Sequence, residues 1–309
     1  MQPLPPQWWR LEMDAPAELE ESLLWKLAAL GIQRVAIRHH PREPERHRLL
    51  AWLPAVDWPL IEREQLAAAL APLGEPFGLA LPPLHWQPQG EEDWSSSWKQ
   101  HWQADPVGQR LLILPAWLAL PQEFASRQVI RIDPGSAFGT GSHPTTRLCL
   151  EAMEMIQLEG LRVADLGCGS GILALGALRL GAASASASDT DPLAVRATAA
   201  NARLNDISTG PGGALQVALG SAEGLAPLLN GEPADLLLCN ILAPVIEALA
   251  PQFEAVLSRA GIGLLSGLLL SQLPGLQLAL GRAGWSTRLI GQQGGWGLLE
   301  IRADKADVA

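Results

Sequence analysis

The sequence predicts an α/β protein of two domains. A doubly wound, mostly parallel seven-stranded sheet with a terminal antiparallel hairpin follows a small N-terminal ferredoxin-like α+β domain. Three observations predict this. The chain has 309 residues, 48% hydrophobic and 17% charged, enough to bury two cores. Its first 87 residues run in the order βαββαβ. From residue 128 onward short apolar runs alternate with helix-period segments, the pattern of βαβ units. The expected boundaries are 1–87 for the small domain, 88–128 for a linker and 129–309 for the sheet domain.

In the small domain, 8–13 reads as a strand and 16–30 as a helix with Leu19, Leu23, Leu27 and Leu30 on one face, stopped by Gly31. Residues 34–39 and 48–53 read as strands joined by a Pro- and Arg-rich loop. A second helix spans 60–73 and closes at Gly74, and 77–86 reads as the last strand. The linker is rich in Pro and Trp and carries one short helix around Trp94, Trp98 and Trp102 at spacing four.

In the larger domain the expected strands are 162–166, 185–189, 215–219, 235–239, 261–265, 287–290 and 298–302. Helices fill 171–180, 192–205, 243–258 and 271–284. The second strand is almost all Ser and Ala, a composition of poor β-propensity, and is expected only from its place in the rhythm. The last two strands have no helix between them and turn through Gly294-Gly295, so they form an antiparallel hairpin.

Composition excludes several classes of function. Thirty-two acids against 22 bases leave a formal charge of −10, which opposes a general nucleic-acid surface. Cys149, Cys168 and Cys239 have no paired spacing, and with six scattered histidines they form neither a zinc pattern nor a disulfide framework. No metal is expected, and a reducing, cytoplasmic location fits. Residues 1–10 show no secretory signal. Residues 260–281 are uncharged, but Ser271, Gln272, Pro274 and Gln277 make them a buried strand and a helix rather than a membrane span.

The strongest local signal is Asp165-Leu166-Gly167-Cys168-Gly169-Ser170-Gly171, which follows a strand and opens a helix. Glycines at alternate positions allow a tight turn and close approach of a ligand to the backbone. The dinucleotide fingerprint wants its third glycine one place later, where Ile172 stands. Asp165 precedes the first glycine, and a carboxylate there suits a cation. Both features favour S-adenosylmethionine, with its ammonium and sulfonium, over a pyrophosphate. Asp189 lies 24 residues on, at the end of the second strand, where an acid can accept from both ribose hydroxyls. Asp191, directly before Pro192, reads as a helix N-cap.

Asn240 ends the fourth strand. First and fourth strands flank the switch point of such a sheet, so Asn240 should share a crevice with the glycine turn, where its amide can accept from an amine or donate to the cofactor without adding charge. Residues 132–146 precede the sheet and are dense in Gly, Pro, Ser and Thr. They read as a loop laid over the cofactor, with Phe138 in it and Thr145 or Thr146 reaching the ligand from the next helix. His143 is expected to order this loop rather than to move protons.

Taken together, Asp133 to Thr146, the Asp165 to Gly171 turn, Asp189 and Asn240-Ile241-Leu242 resemble the ribosomal protein L11 methyltransferase family over nearly the whole chain. The glycine motif alone points to class I methyltransferases; the run Phe138 to Thr146 is more specific. The resemblance implies a methyltransferase sheet and methyl transfer from S-adenosylmethionine to amino groups of the large-subunit ribosomal protein L11, held by the N-terminal domain. Carried over, cofactor contacts fall on Thr146, Gly167, Asp189 and Asn240, beside Asp165, Gly169 and Phe138 from the reading above. Asn240 also becomes the residue that positions the acceptor amine. The third strand departs from many class I enzymes: it ends in Leu219-Gly220-Ser221, without an acid for the adenine amino group.

Three other readings compete, of which a non-catalytic domain that binds the cofactor as a regulator is opposed by the intact loop sequence. A nicotinamide-dependent oxidoreductase would suit the sheet and Asp189, but Ile172 and Asp165 oppose it. An RNA methyltransferase would use the five arginines in residues 34–48, yet residues 1–90 hold eight bases against eleven acids, so that run reads as a solvated hairpin loop.

Overall fold

The structure is a computed structural model that describes residues 8–16, 18–32, 34–40, 43–89, 102–133 and 141–304. The described residues divide into two compact units, one within 8–103 and the other within 104–133 and 141–304.

The smaller unit runs β1 (Trp8–Ala15), α1 (Glu20–Ala29), β2 (Val35–His40), β3 (Glu43–Pro54), α2 (Leu60–Leu70) and β4 (His85–Gln89), in the antiparallel order β2-β3-β1-β4. This is the expected ferredoxin-like arrangement. The period of two along β1 turns Leu11, Met13 and Ala15 to the core, where Leu19 at the N-cap of α1, Leu23 and Leu27 within it, and Leu66 and Leu70 of α2 cover them. Two details depart from the sequence expectation. The connection between β2 and β3 is shorter, because the strands extend to His40 and from Glu43. The last strand is later than 77–86: residues Ala71–Phe77 form a 3-10 turn closed by Gly78, and Pro82 and Pro83 delay pairing until His85.

The larger unit opens with a sheet that the sequence did not foretell. β5 (Asp105–Val107), β6 (Leu111–Pro115) and β7 (Gln128–Ile132) form a three-stranded sheet, antiparallel then parallel. Residues 104–128, expected as linker, therefore belong to the larger unit; β6 is buried throughout because it is a short continuous apolar run. Trp94 and Trp98 lie outside the described residues. Trp102 belongs to the smaller unit, where its Nε1 donates to the carbonyl of Val35 at 3.3 Å.

The main elements follow in order: α3 (Pro144–Glu154), β8 (Arg162–Leu166), α4 (Ile172–Arg179), β9 (Ser184–Asp189), α5 (Pro192–Leu204), β10 (Leu215–Leu219), α6 (Ala222–Leu225), β11 (Ala234–Asn240), α7 (Ala243–Leu249), β12 (Leu257–Leu269), α8 (Leu273–Arg282), β13 (Trp285–Gln293) and β14 (Trp296–Ala303). The seven strands stand in the order β10-β9-β8-β11-β12-β14-β13, parallel except where β14 pairs with β12 and β13. Strand order reverses between β8 and β11, and that is the switch point. The Ser/Ala strand forms as β9 because it is gripped on both sides by β8 and β10. The helix expected over 243–258 stops at Leu249, since Pro251 converts its continuation to a 3-10 turn and β12 begins at Leu257.

Candidate functional site

The glycine turn follows β8 and enters α4. Gly167, Gly169 and Gly171 all have positive φ, at 78°, 54° and 80°. At Gly171 a Cβ would also lie 2.7 Å from Cγ2 of Thr198, and at Gly167 it would run into Cγ2 of Ile241. Space and backbone conformation therefore both demand glycine at these two positions. The N–H groups of Gly167 and Cys168 donate to the carbonyl of Ser188, which hangs the turn from the end of β9.

Asp165 sits beneath this turn, 1% exposed. Its Oδ2 accepts from the N–H of Ala174 at 3.0 Å, whereas its Oδ1 has no partner among the described residues. Burial pushes its pKa up to about 7; the Ala174 bond opposes the rise and the charge of Asp189 adds to it.

Asp189, at the end of β9, accepts from Gly169 N on Oδ2 and from Asp191 N on Oδ1, both at 2.9 Å. Burial raises its pKa against these bonds. Asp191 caps α5 as expected, its Oδ1 accepting from Leu193 N at 2.8 Å.

Asn240 ends β11, and its Nδ2 donates to Oγ1 of Thr146 at 3.2 Å. Thr146 is buried in the first turn of α3, so a residue 94 positions away meets the switch point. His143 stands at the N-cap of α3. Its Nδ1 accepts from Thr145 N at 3.3 Å and lies 2.7 Å from Thr145 Oγ1, while its ring meets Trp296 edge-on with centroids 4.9 Å apart. A buried imidazole committed to a cap orders the start of the helix.

The structure thus gathers Asp165, Gly167, Gly169, Asp189, Asn240 and Thr146 at the carboxyl ends of β8, β9 and β11. Phe138 lies outside the described residues. After β10, Ser221 N donates to Oε1 of Glu223 at 2.9 Å; this bond lowers the pKa of that exposed acid, which comes two residues after the position where the sequence lacks one.

Two residues not expected from the sequence hold the turn from behind. Thr198 Oγ1 donates to the Gly169 carbonyl and Asn201 Nδ2 to the Ser170 carbonyl, each at 2.9 Å. The signal present in the sequence was a polar pair on the inward face of α5, between Ala194, Ala197 and Ala202.

Comparison with known proteins bears on the family of the chain. A family model described as Ribosomal protein L11 methyltransferase (PrmA) matches residues 7–304. The chain is 62% identical over 297 residues to the ribosomal protein L11 methyltransferase of Synechococcus sp. (strain RCC307), covering 96% of this chain and 97% of that one. It is 57% identical over 295 residues to the protein of that name from Prochlorococcus marinus (strain MIT 9313), covering 96% and 97%. Among solved structures, a ribosomal protein L11 methylase from Lactobacillus delbrueckii subsp. bulgaricus superimposes with a TM-score of 0.58 at 33% identity, over 66% of this chain and 100% of that one. With the switch-point site and these matches along nearly its whole length, the chain belongs to the ribosomal protein L11 methyltransferase family.

Proposed function

We propose that the chain transfers methyl groups from S-adenosylmethionine to amino groups of ribosomal protein L11, on lysine side chains, the N-terminal α-amine or both. The observation that carries this reading is the buried Oδ1 of Asp165, without a partner among the described residues, beneath a glycine turn, with a second acid on the next strand and an amide on the fourth.

These residues fit the cofactor. A buried carboxylate oxygen without a partner calls for a cation, and an ammonium answers it. Asp189 accepts backbone bonds from Gly169 and Asp191 on its two oxygens, and a carboxylate at this strand end suits ribose hydroxyls. Gly167 and Gly169 leave the backbone open to close approach, and Thr146 and Phe138 are assigned to the same ligand. When bound, S-adenosylmethionine supplies a methyl group already activated by a positive sulfonium.

What the chain itself contributes is alignment and exclusion of water. Asn240 holds its Nδ2 on Thr146, which turns its Oδ1 to the acceptor amine and orients the lone pair without adding charge. A lysine amine must first shed a proton, at roughly 4.6 kcal/mol at neutral pH, and an α-amine at about 1 kcal/mol. Desolvation beside a cation lowers that cost, so a dedicated base is unnecessary.

We assign recognition of L11 to the smaller unit, and no nucleic acid to the reaction. No helix among the described residues is long and apolar enough to cross a membrane. Cys149, Cys168 and Cys239 are buried and form no disulfide among the described residues, which suits a reducing cytoplasm. The test is incubation of the purified chain with labelled S-adenosylmethionine and, separately, L11, bulk ribosomal proteins and ribosomal RNA. Label on L11 alone is expected. Label on RNA would overturn the protein assignment, and absence of cofactor binding would overturn the reaction class.

A further inference from the structure

The glycine turn is held from behind by α5 through side chains that pack inward. Thr198, Asn201 and Asn205 recur at spacings of three and four, which places them on one side of the helix, and all three are buried. Polar groups persist in such a place only when bonded, and each has a defined set of partners.

Thr198 and Asn201 take the carbonyls of Gly169 and Ser170, two successive peptides of the turn. Fixing the carbonyl of a trans peptide also fixes the direction of the N–H that follows it. Asn201 reaches in the other direction as well, where its Oδ1 accepts from the N–H of Asp133 at 3.0 Å, just beyond the end of β7. A single amide therefore bridges the turn and that strand. Asn205 offers a contrast, because its side chain bonds Arg131 N and O on β7, the Asn201 carbonyl and Arg179, but not the turn.

We propose that Thr198 and Asn201 are positioning residues for methyl transfer. They set the peptide planes of the glycine turn for cofactor binding, and Asn201 locks that setting to the end of β7. This rests on the cofactor reading above.

The experiment is calorimetric titration of S-adenosylmethionine into the full chain and its variants N201D, T198V and N205D, each first melted by circular dichroism. N201D keeps an acceptor for Asp133 and loses the donor to Ser170. T198V is near-isosteric and loses only the hydroxyl. N205D makes the same chemical change as N201D at the C-cap of the same helix, away from the turn. N201D and T198V are expected to bind the cofactor about tenfold more weakly while folded, with KM for L11 unchanged. N205D is expected to lose comparable thermal stability and to bind as wild type. Wild-type affinity in both N201D and T198V would overturn the inference, as would equal weakening in all three variants, which marks a general loss of stability. Should N201D fail to fold, T198V decides by the same two outcomes. A wild-type chain that binds no cofactor would remove the cofactor reading itself, whereas wild-type binding shared by N201D and T198V would remove this inference alone.

Discussion

Asp165 concentrates the conflict between stability and function in one side chain. Its folded pKa of about 7 lies above the unfolded value near 3.8, so between these pH values the folded chain holds a proton that the unfolded chain has released. Stability of the ligand-free protein therefore falls as pH rises through this window. The D165N variant is expected to melt higher than wild type at pH 8, with the gap closing as pH approaches 4, and to bind S-adenosylmethionine far more weakly. Melting curves across pH check the first statement and titration the second. A cationic ligand prefers the ionised carboxylate, so cofactor affinity of the wild type should weaken below pH 7, by about tenfold per unit in the limit. Asp189→Ala should weaken cofactor binding by about 1.5–3 kcal/mol through lost charged hydrogen bonds, and an unchanged dissociation constant would remove the ribose assignment. Asp165, Asp189 and Asn240 could be read from the sequence because each is tied to a glycine turn or a strand end. Asn201 could not: its partners, Ser170 and Asp133, lie 31 and 68 positions away.

At the scale of elements, α3 carries Thr146 and is pinned at both ends. Arg147 Nη1 reaches both carboxylate oxygens of Asp105 at 2.9 Å, and its Nη2 donates to the Pro106 carbonyl. The Glu154 carboxylate accepts from three successive backbone N–H groups, those of Gln109, Arg110 and Leu111. The small sheet thus acts as a brace for the helix. E154Q turns an amide donor toward those N–H groups, and urea denaturation should show a loss of roughly 1–2 kcal/mol. The sequence concealed this brace because β5 has three residues, one of them Pro106, and β6 is one short apolar run without periodicity. By contrast β9 was legible despite its Ser/Ala composition, because a crossover rhythm demands a strand between two helices. The fourth strand of the small unit starts eight residues later than the sequence pattern predicts, since Phe77 and Leu79 face the core from a 3-10 turn and the segment after it.

At the scale of the molecule, the division into units sets where a truncation should fall. The cut belongs after residue 103, because Trp102 bonds within the smaller unit and Asp105 begins the brace of the larger. A chain starting at residue 104 is expected to keep wild-type affinity for S-adenosylmethionine and to lose methylation of L11. Equal activity of this fragment on L11 would remove the recognition role of the smaller unit.

The sequence by itself determined the βαβ order, the antiparallel hairpin at the end, the place of the glycine turn and the acid after the second strand. All of these follow from local periodicity and from turn chemistry that acts over a few residues. Tertiary structure alone decided that the residues after 104 join the larger unit, that Thr146 meets Asn240, that Asp165 is left with one unpaired oxygen, and that α5 grips the turn. Those outcomes depend on which buried polar groups find partners across tens of positions, a matter settled by packing rather than by neighbours in the chain.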